Sequence, residues 1–166
     1  VDGFDQYDDD CNRVFFAWLD GLGHNGGNDI EDCDVAPYNG NGTGSIVGNA
    51  TSPFAEQMIV HSGSQSMPLA YDSGVSETTI ALDAQDWTAS GIQSLSLYFR
   101  GAPGNTGQLY VKINNNKVAY DGSPNDLQRT PWMPWNIDLS GVAGNLQAVT
   151  SLTIGIEGAT AQGMIY

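Results

Sequence analysis

Ser94-Leu95-Ser96-Leu97-Tyr98-Phe99-Arg100 decides the fold. Leu95, Leu97 and Phe99 fall on one side of an extended chain, and Ser96, Tyr98 and Arg100 on the other. The alternation returns in Leu109, Val111 and Ile113 against Tyr110, Lys112 and Asn114. It returns again in Leu152, Ile154 and Ile156 against Thr153, Gly155 and Glu157. Strands with one apolar and one polar face bury the apolar face against a second sheet. The spacing therefore predicts an all-β, two-sheet antiparallel β-sandwich. The polar faces carry tyrosines and cations, which points to recognition rather than chemistry.

Further strands are predicted at 57–61, 66–72, 76–82, 117–120, 135–139 and 163–166, with Asn114-Asn115-Asn116 as a tight turn, since Asn tolerates positive φ. Residues 146–149 read as a helical turn. The short strands and 21 glycines suit a turn-rich sandwich. Neither a repeat nor a linker interrupts the chain, so residues 1–166 read as a single domain. Within it, 53–166 is regular and 1–52 is loop-rich and acidic. Val14 to Leu19 is the one strong strand signal in that first segment.

The net charge is −14, with only five Lys and Arg. Nucleic acid is excluded as a ligand class, because neutralising phosphates needs a basic surface. Neutral ligands and divalent cations are compatible with this field. No apolar run approaches the roughly 20 residues that span a membrane. Cys11 and Cys33 are the two cysteines. In a secreted chain they form one disulfide worth about 3 kcal/mol; in a cytosolic one they are two thiols. Low Lys content and Asn/Gly-rich loops favour a secreted or cell-surface location. No leader precedes Val1, and the segment reads as a mature module excised from a larger multi-domain protein.

Several stretches in order resemble a known family. They are Gly3-Phe4-Asp5; Ser62-Gly63-Ser64-Gln65-Ser66-Met67; Asp86-Trp87 followed by Leu95 and Leu97; Trp135-Asn136-Ile137-Asp138-Leu139-Ser140; and Val149 through Ile156 leading into Gly163-Met164-Ile165-Tyr166. The chain is similar to non-catalytic carbohydrate-binding modules of the galactose-binding-like jelly-roll type, especially families 11 and 30. The resemblance implies a β-jelly roll, a glycan ligand and a structural calcium, with Asp5 in the position of the early acidic ligand.

Half of the acidic groups, ten of nineteen, lie in residues 1–52. Asp5, Asp8, Asp10, Asp29, Glu31 and Asp32 are the candidate calcium ligands, because hard cations take carboxylate oxygens. Pairing of Cys11 with Cys33 brings the two acidic clusters together. A solvated acidic loop is the alternative.

Sugars stack their C–H faces on exposed aromatic rings, with hydrogen-bonding groups beside them. Trp132, in Thr130-Pro131-Trp132-Met133-Pro134-Trp135, is held out of a central strand by its prolines and is the first platform candidate. Trp18, Trp87 and Trp135 read as core. The polar face of Tyr98, Arg100, Tyr110 and Lys112, expected on two paired strands, is the second candidate, with Tyr120 at its rim. An ordinary solvent face is the alternative.

Catalysis is not expected. Four glutamates and two histidines offer no opposed carboxylate pair and no nucleophile elbow. The sequence thus points to a module binding a neutral polysaccharide, or else to a structural or adhesive module without sugar affinity.

Overall fold

The computed structural model describes residues 1–29 and 33–166. One layer is a five-stranded antiparallel sheet. Its order is β1 (Trp18–Leu19), β4 (Gly74–Gln85), β9 (Val149–Ala159), β6 (Gln108–Ile113) and β7 (Asn116–Ala119). The other layer comes in two pieces. β5 (Ser94–Phe99) pairs with β8 (Met133–Asp138), and β3 (Leu69–Tyr71) lies between β10 (Gly163–Ile165) and β2 (Ile46–Val47). The pieces meet where Arg100 and Tyr166 exchange both backbone hydrogen bonds, at 3.0 and 2.9 Å. The architecture is an all-β antiparallel sandwich.

The alternation read from the sequence sets the layers. Leu95 and Phe99 of β5 are buried while Ser94, Ser96 and Tyr98 face out. In β6 the inward residues Leu109, Val111 and Ile113 are buried, and they meet Leu152 and Ile156 of β9 across the same sheet. The β6–β7 hairpin turns at Asn114, with φ 54°. Its side-chain oxygen accepts from Thr150 N–H at 2.9 Å and ties the turn to β9.

The first 52 residues belong to the same core. Tyr7, Val14, Trp18 and Val47 join one apolar cluster that runs to Ile165. β1 extends the large sheet beside β4, and β2 extends the other beside β3. Cys11 and Cys33 are disulfide-bonded, with Cα atoms 5.3 Å apart.

One expected strand is cut to its last two residues, β1, and another is absent. Val14–Ala17 forms a single helical turn before β1. A short apolar run does not distinguish the two periods, and here Arg13 over the Phe54 ring at 4.5 Å, with Phe15 edge-on to the same ring, holds the turn. Residues 57–61 form bends rather than a strand. The Glu56 carboxylate accepts from Met58 N–H at 2.6 Å and Ile59 N–H at 3.1 Å, which curls the chain, and Met58 is left 92% exposed. A single Glu56–Ser66 bridge closes this loop. The expected helical turn at 146–149 is a turn leading straight into β9.

Candidate functional site

Tyr98 stands on the outer face of the β5–β8 pair, 49% exposed. Its register partner is Pro134, and Ser96 faces Asn136 two residues along. Ser96 and Asn136 side chains are hydrogen-bonded at 2.7 Å. Arg100 and Trp132 lie one residue past the last registered pair, Phe99 with Met133, and so continue the face of Tyr98. Pro131 lies outside β8 and Pro134 within it, opposite Tyr98; β8 is an edge strand, and Trp132 sits one residue before it, half-buried. The Arg100 side chain makes no hydrogen bond or ion pair among the described residues.

The loop curled by Glu56 delivers a third ring. His61 stacks on Tyr98 with centroids 3.7 Å apart and planes 19° apart. Trp132 meets His61 edge-on at 5.6 Å. These three rings stand at the mouth of a cavity of about 190 Å³ that descends between the layers, with Ser62, Gln65 and Ser96 also at its lining. Asp2 lines it too, but its carboxylate is taken by Tyr7 Oη–H at 2.5 Å and Trp18 Nε1–H at 2.8 Å. The arrangement offers ring faces and edges beside uncharged hydrogen-bonding groups and one guanidinium. It can hold an apolar face bearing hydroxyls at its rim.

Tyr110 and Lys112 do not join this face, which corrects the expected pairing. β6 pairs with β9 and β7 in the five-stranded sheet, whereas β5 pairs with β8 in the opposite layer. The two outward faces therefore look away from each other. Tyr110 is also only 1% exposed. Its ring lies over Gly155, its register partner on β9, where a Cβ would come within 2.4 Å of the ring. Lys117 covers the other side, its ammonium 4.2 Å from the ring centroid. The phenol donates to Glu77, which is also paired with Lys112 at 2.6 Å. Burial and the Glu77 carboxylate push the Tyr110 phenol far up. This outer face is a closed ionic network, completed by Lys117 with Glu157.

Burial pushes the Glu77 carboxyl up, but hydrogen bonds from Lys112 and Tyr110, with the charges of Lys112 and Lys117, outweigh it and hold it below its ordinary 4.5. A depressed folded-state value gives stability that is present above pH 4.5 and lost as pH falls through the lower folded value. Thermal melts from pH 6 to pH 3 are expected to show stability dropping below about pH 4.5, and less steeply in Glu77→Gln. Equal pH dependence in both proteins would remove Glu77 from the account.

Tyr120 also lies apart from Tyr98. Its ring packs edge-on to Phe99 and Trp135, and its hydroxyl donates to Asp126 at 2.8 Å. Burial and Asp126 push the phenol up to about 12. It closes one end of the core rather than rimming a cleft. Trp18, Trp87 and Trp135 are buried, as expected.

Asp5 and Asp8 each hold a turn. Asp5 accepts from Ser64 N–H at 2.7 Å, Ser64 Oγ–H at 3.0 Å and Gln65 N–H at 3.1 Å. Those donors hold its carboxyl below the usual range. Asp8 accepts from the N–H groups of Asp10 and Asn12 at 2.9 and 2.8 Å. All of these donors meet a single oxygen, Oδ1, of Asp5 and of Asp8. Among the described residues no three His, Cys, Asp or Glu side chains converge on a metal-sized point. Glu31, Asp32 and the side chain of Asp29 lie outside the described residues.

No family model matches the chain, and no curated protein matches it. Solved structures do. The chain is similar in fold to family 11 carbohydrate-binding modules. One is the family 11 module from Clostridium thermocellum in complex with a β-1,3-1,4-mixed-linked tetrasaccharide, at 14% identity and TM-score 0.48, covering 74% of this chain and 84% of that one. Another is the family 11 module of the cellulosomal cellulase Lic26A-Cel5E of Clostridium thermocellum, at 14% identity and TM-score 0.46, covering 74% and 82%. At this distance no residue role is carried across. Among the described residues, no helix is long and apolar enough to cross a membrane.

Sequence reasoning found Tyr98, Arg100 and Trp132 for this face. It missed His61, Ser96 and Asn136. The signal for Asn136 was its alternation with buried Trp135 and Ile137; His61 had none, since a loop carries it in.

Proposed function

We propose that the chain is a non-catalytic carbohydrate-binding module that binds a neutral polysaccharide through Tyr98, His61 and Trp132, with Arg100, Ser96 and Asn136 as hydrogen-bonding partners. The observation that carries this reading is the convergence of three aromatic rings at one cavity mouth, beside uncharged polar groups. The net charge of −14 disfavours polyanionic glycans. The disulfide fits an oxidising, extracellular setting. In a larger secreted or surface protein, such a module keeps attached domains near their polysaccharide.

Tryptophan fluorescence titrated with neutral oligosaccharides tests this, beginning with a β-1,3-1,4-mixed-linked tetrasaccharide. Saturable change in wild type, absent in Trp132→Ala, supports the site. Saturable change that survives in Trp132→Ala, Tyr98→Ala and His61→Ala alike places the sugar elsewhere.

Structural calcium is a separate part of the proposal. It rests on the charge of segment 1–52, whose clusters Cys11–Cys33 draws together, and it is not assigned to Asp5 and Asp8. Calcium added to chelator-treated protein is expected to raise the melting temperature. An unchanged melting temperature would rule calcium out of this fold.

A further inference from the structure

His61 stands where a sugar would stack. Its imidazole lies 3.7 Å from the Tyr98 ring and within 19° of parallel, and it meets Trp132 edge-on at 5.6 Å. Stacked carbon atoms touch at about 3.5–4.0 Å, so nothing fits between His61 and Tyr98 as they stand. A pyranose ring reaches this face of Tyr98 only when the imidazole moves away.

The two sides of the contact are held differently. Tyr98 is fixed in the β5–β8 ladder opposite Pro134, and Trp132 lies one residue ahead of β8. His61 rides on an arm that is tied only at its feet. One foot is the Glu56–Ser66 bridge, with the Glu56 carboxylate accepting from Met58 and Ile59 N–H. The other is Ser64 and Gln65, whose N–H groups donate to Asp5. Between them, among the described residues, Val60, His61, Ser62 and Gly63 make no main-chain hydrogen bond. His61, Ser62 and Gly63 are exposed, and Gly63 takes φ 73°. The imidazole's hydrogen-bonding neighbour is the next residue on the same arm, with Ser62 Oγ 3.3 Å from Nδ1. Ring contact therefore holds His61 down. A segment with exposed side chains and no main-chain bonds opens more readily than the ladder beneath it.

The step from here rests on the proposed sugar site: we propose that the corner between Tyr98 and Trp132 is its primary subsite, and that the 60–63 arm is a lid over it, closed in this structure. The arm lifts His61 by roughly one ring thickness, about 3.5–4 Å. A pyranose unit of the neutral polysaccharide then lays one C–H face on Tyr98, and His61 settles on its other face. The imidazole that shuts the empty subsite clasps the sugar in the loaded one. Only the open fraction accepts ligand, so association is slowed by the closed stack.

The test compares wild type with His61→Ala, an exposed position whose truncation leaves the core untouched. Without ligand, NMR relaxation dispersion is expected to show exchange on the microsecond-to-millisecond scale at the amides of His61 to Gly63, and none at those of Leu97 and Phe99. The Trp132 indole N–H is expected to share that exchange in wild type and to lose it in His61→Ala. A rigid arm in the free protein would overturn the lid. With a β-1,3-1,4-mixed-linked tetrasaccharide, stopped-flow tryptophan fluorescence is expected to show association about tenfold faster in His61→Ala. Dissociation is expected to accelerate by more than that, because the clasp is gone. Faster dissociation with unchanged association would make His61 a contact residue and would also overturn the lid, leaving the proposed function standing. Arm exchange in the free protein, with neutral oligosaccharides bound by neither protein, would instead overturn the proposed function.

Discussion

Trp132→Ala is expected to weaken polysaccharide binding by about 30-fold or more while leaving the fold intact. Aromatic anchors at the centre of an interface carry most of its energy, and a loss of about 2 kcal/mol is the ordinary cost of truncating one. Trp132 supplies the largest ring of the trio and is only half-buried, ahead of β8 rather than in it. Its removal also frees His61 from its edge contact, which loosens the stack on Tyr98. Binding isotherms and thermal melts of the two proteins separate the effects. A melting temperature that falls sharply while binding per folded molecule stays constant would make Trp132 a packing residue.

Tyr110→Ala is expected to do the opposite: destabilise by about 3–5 kcal/mol and leave binding per folded molecule unchanged. The ring is fully enclosed between Gly155 and Lys117, so its loss opens a void that the rigid sheet fills poorly. Glu77 also loses one of the two donors that offset its burial. For a domain of this size the melting temperature falls by roughly 10 °C. The milder Tyr110→Phe keeps the ring and removes only the hydroxyl, so it should recover most of the stability. Denaturant titration of the three proteins checks the order. Wild-type stability in Tyr110→Ala would show that the ring is not part of the packed sheet.

These contrasting expectations for two tyrosines mark what the sequence could tell. Period-2 alternation identified the strands and their inward faces, because burial of one face is a local property of the chain. It did not say which strands are neighbours. Tyr98 and Tyr110 share the same pattern, outward on a strand with a cation two residues on, and yet they belong to opposite layers. Pairing is decided by connections such as Gln93 to Leu139 and Asn114 to Ser151, which no window of sequence contains. Exposure misled in the same way: an outward position was read as accessible, but Gly155 opposite Tyr110 lets the ring lie down on the sheet. The prolines around Trp132 were legible because they act locally on the backbone. His61 was not, because Glu56 bends its loop through a side-chain contact that looks, in sequence, like part of a strand. The acidic residues suggested a cation; that Asp5 and Asp8 also hold turns, each through one carboxylate oxygen, was not legible, because their donors Ser64 and Asn12 carry no local signal.

The most direct measurement is affinity electrophoresis of wild type and Trp132→Ala through gels containing neutral and acidic polysaccharides. The account predicts that at least one neutral polysaccharide retards the wild-type protein, that Trp132→Ala runs nearly unretarded in it, and that acidic ones retard neither. Free migration of the wild type in every gel would contradict it, and would leave a structural or adhesive module without sugar affinity as the reading of this chain.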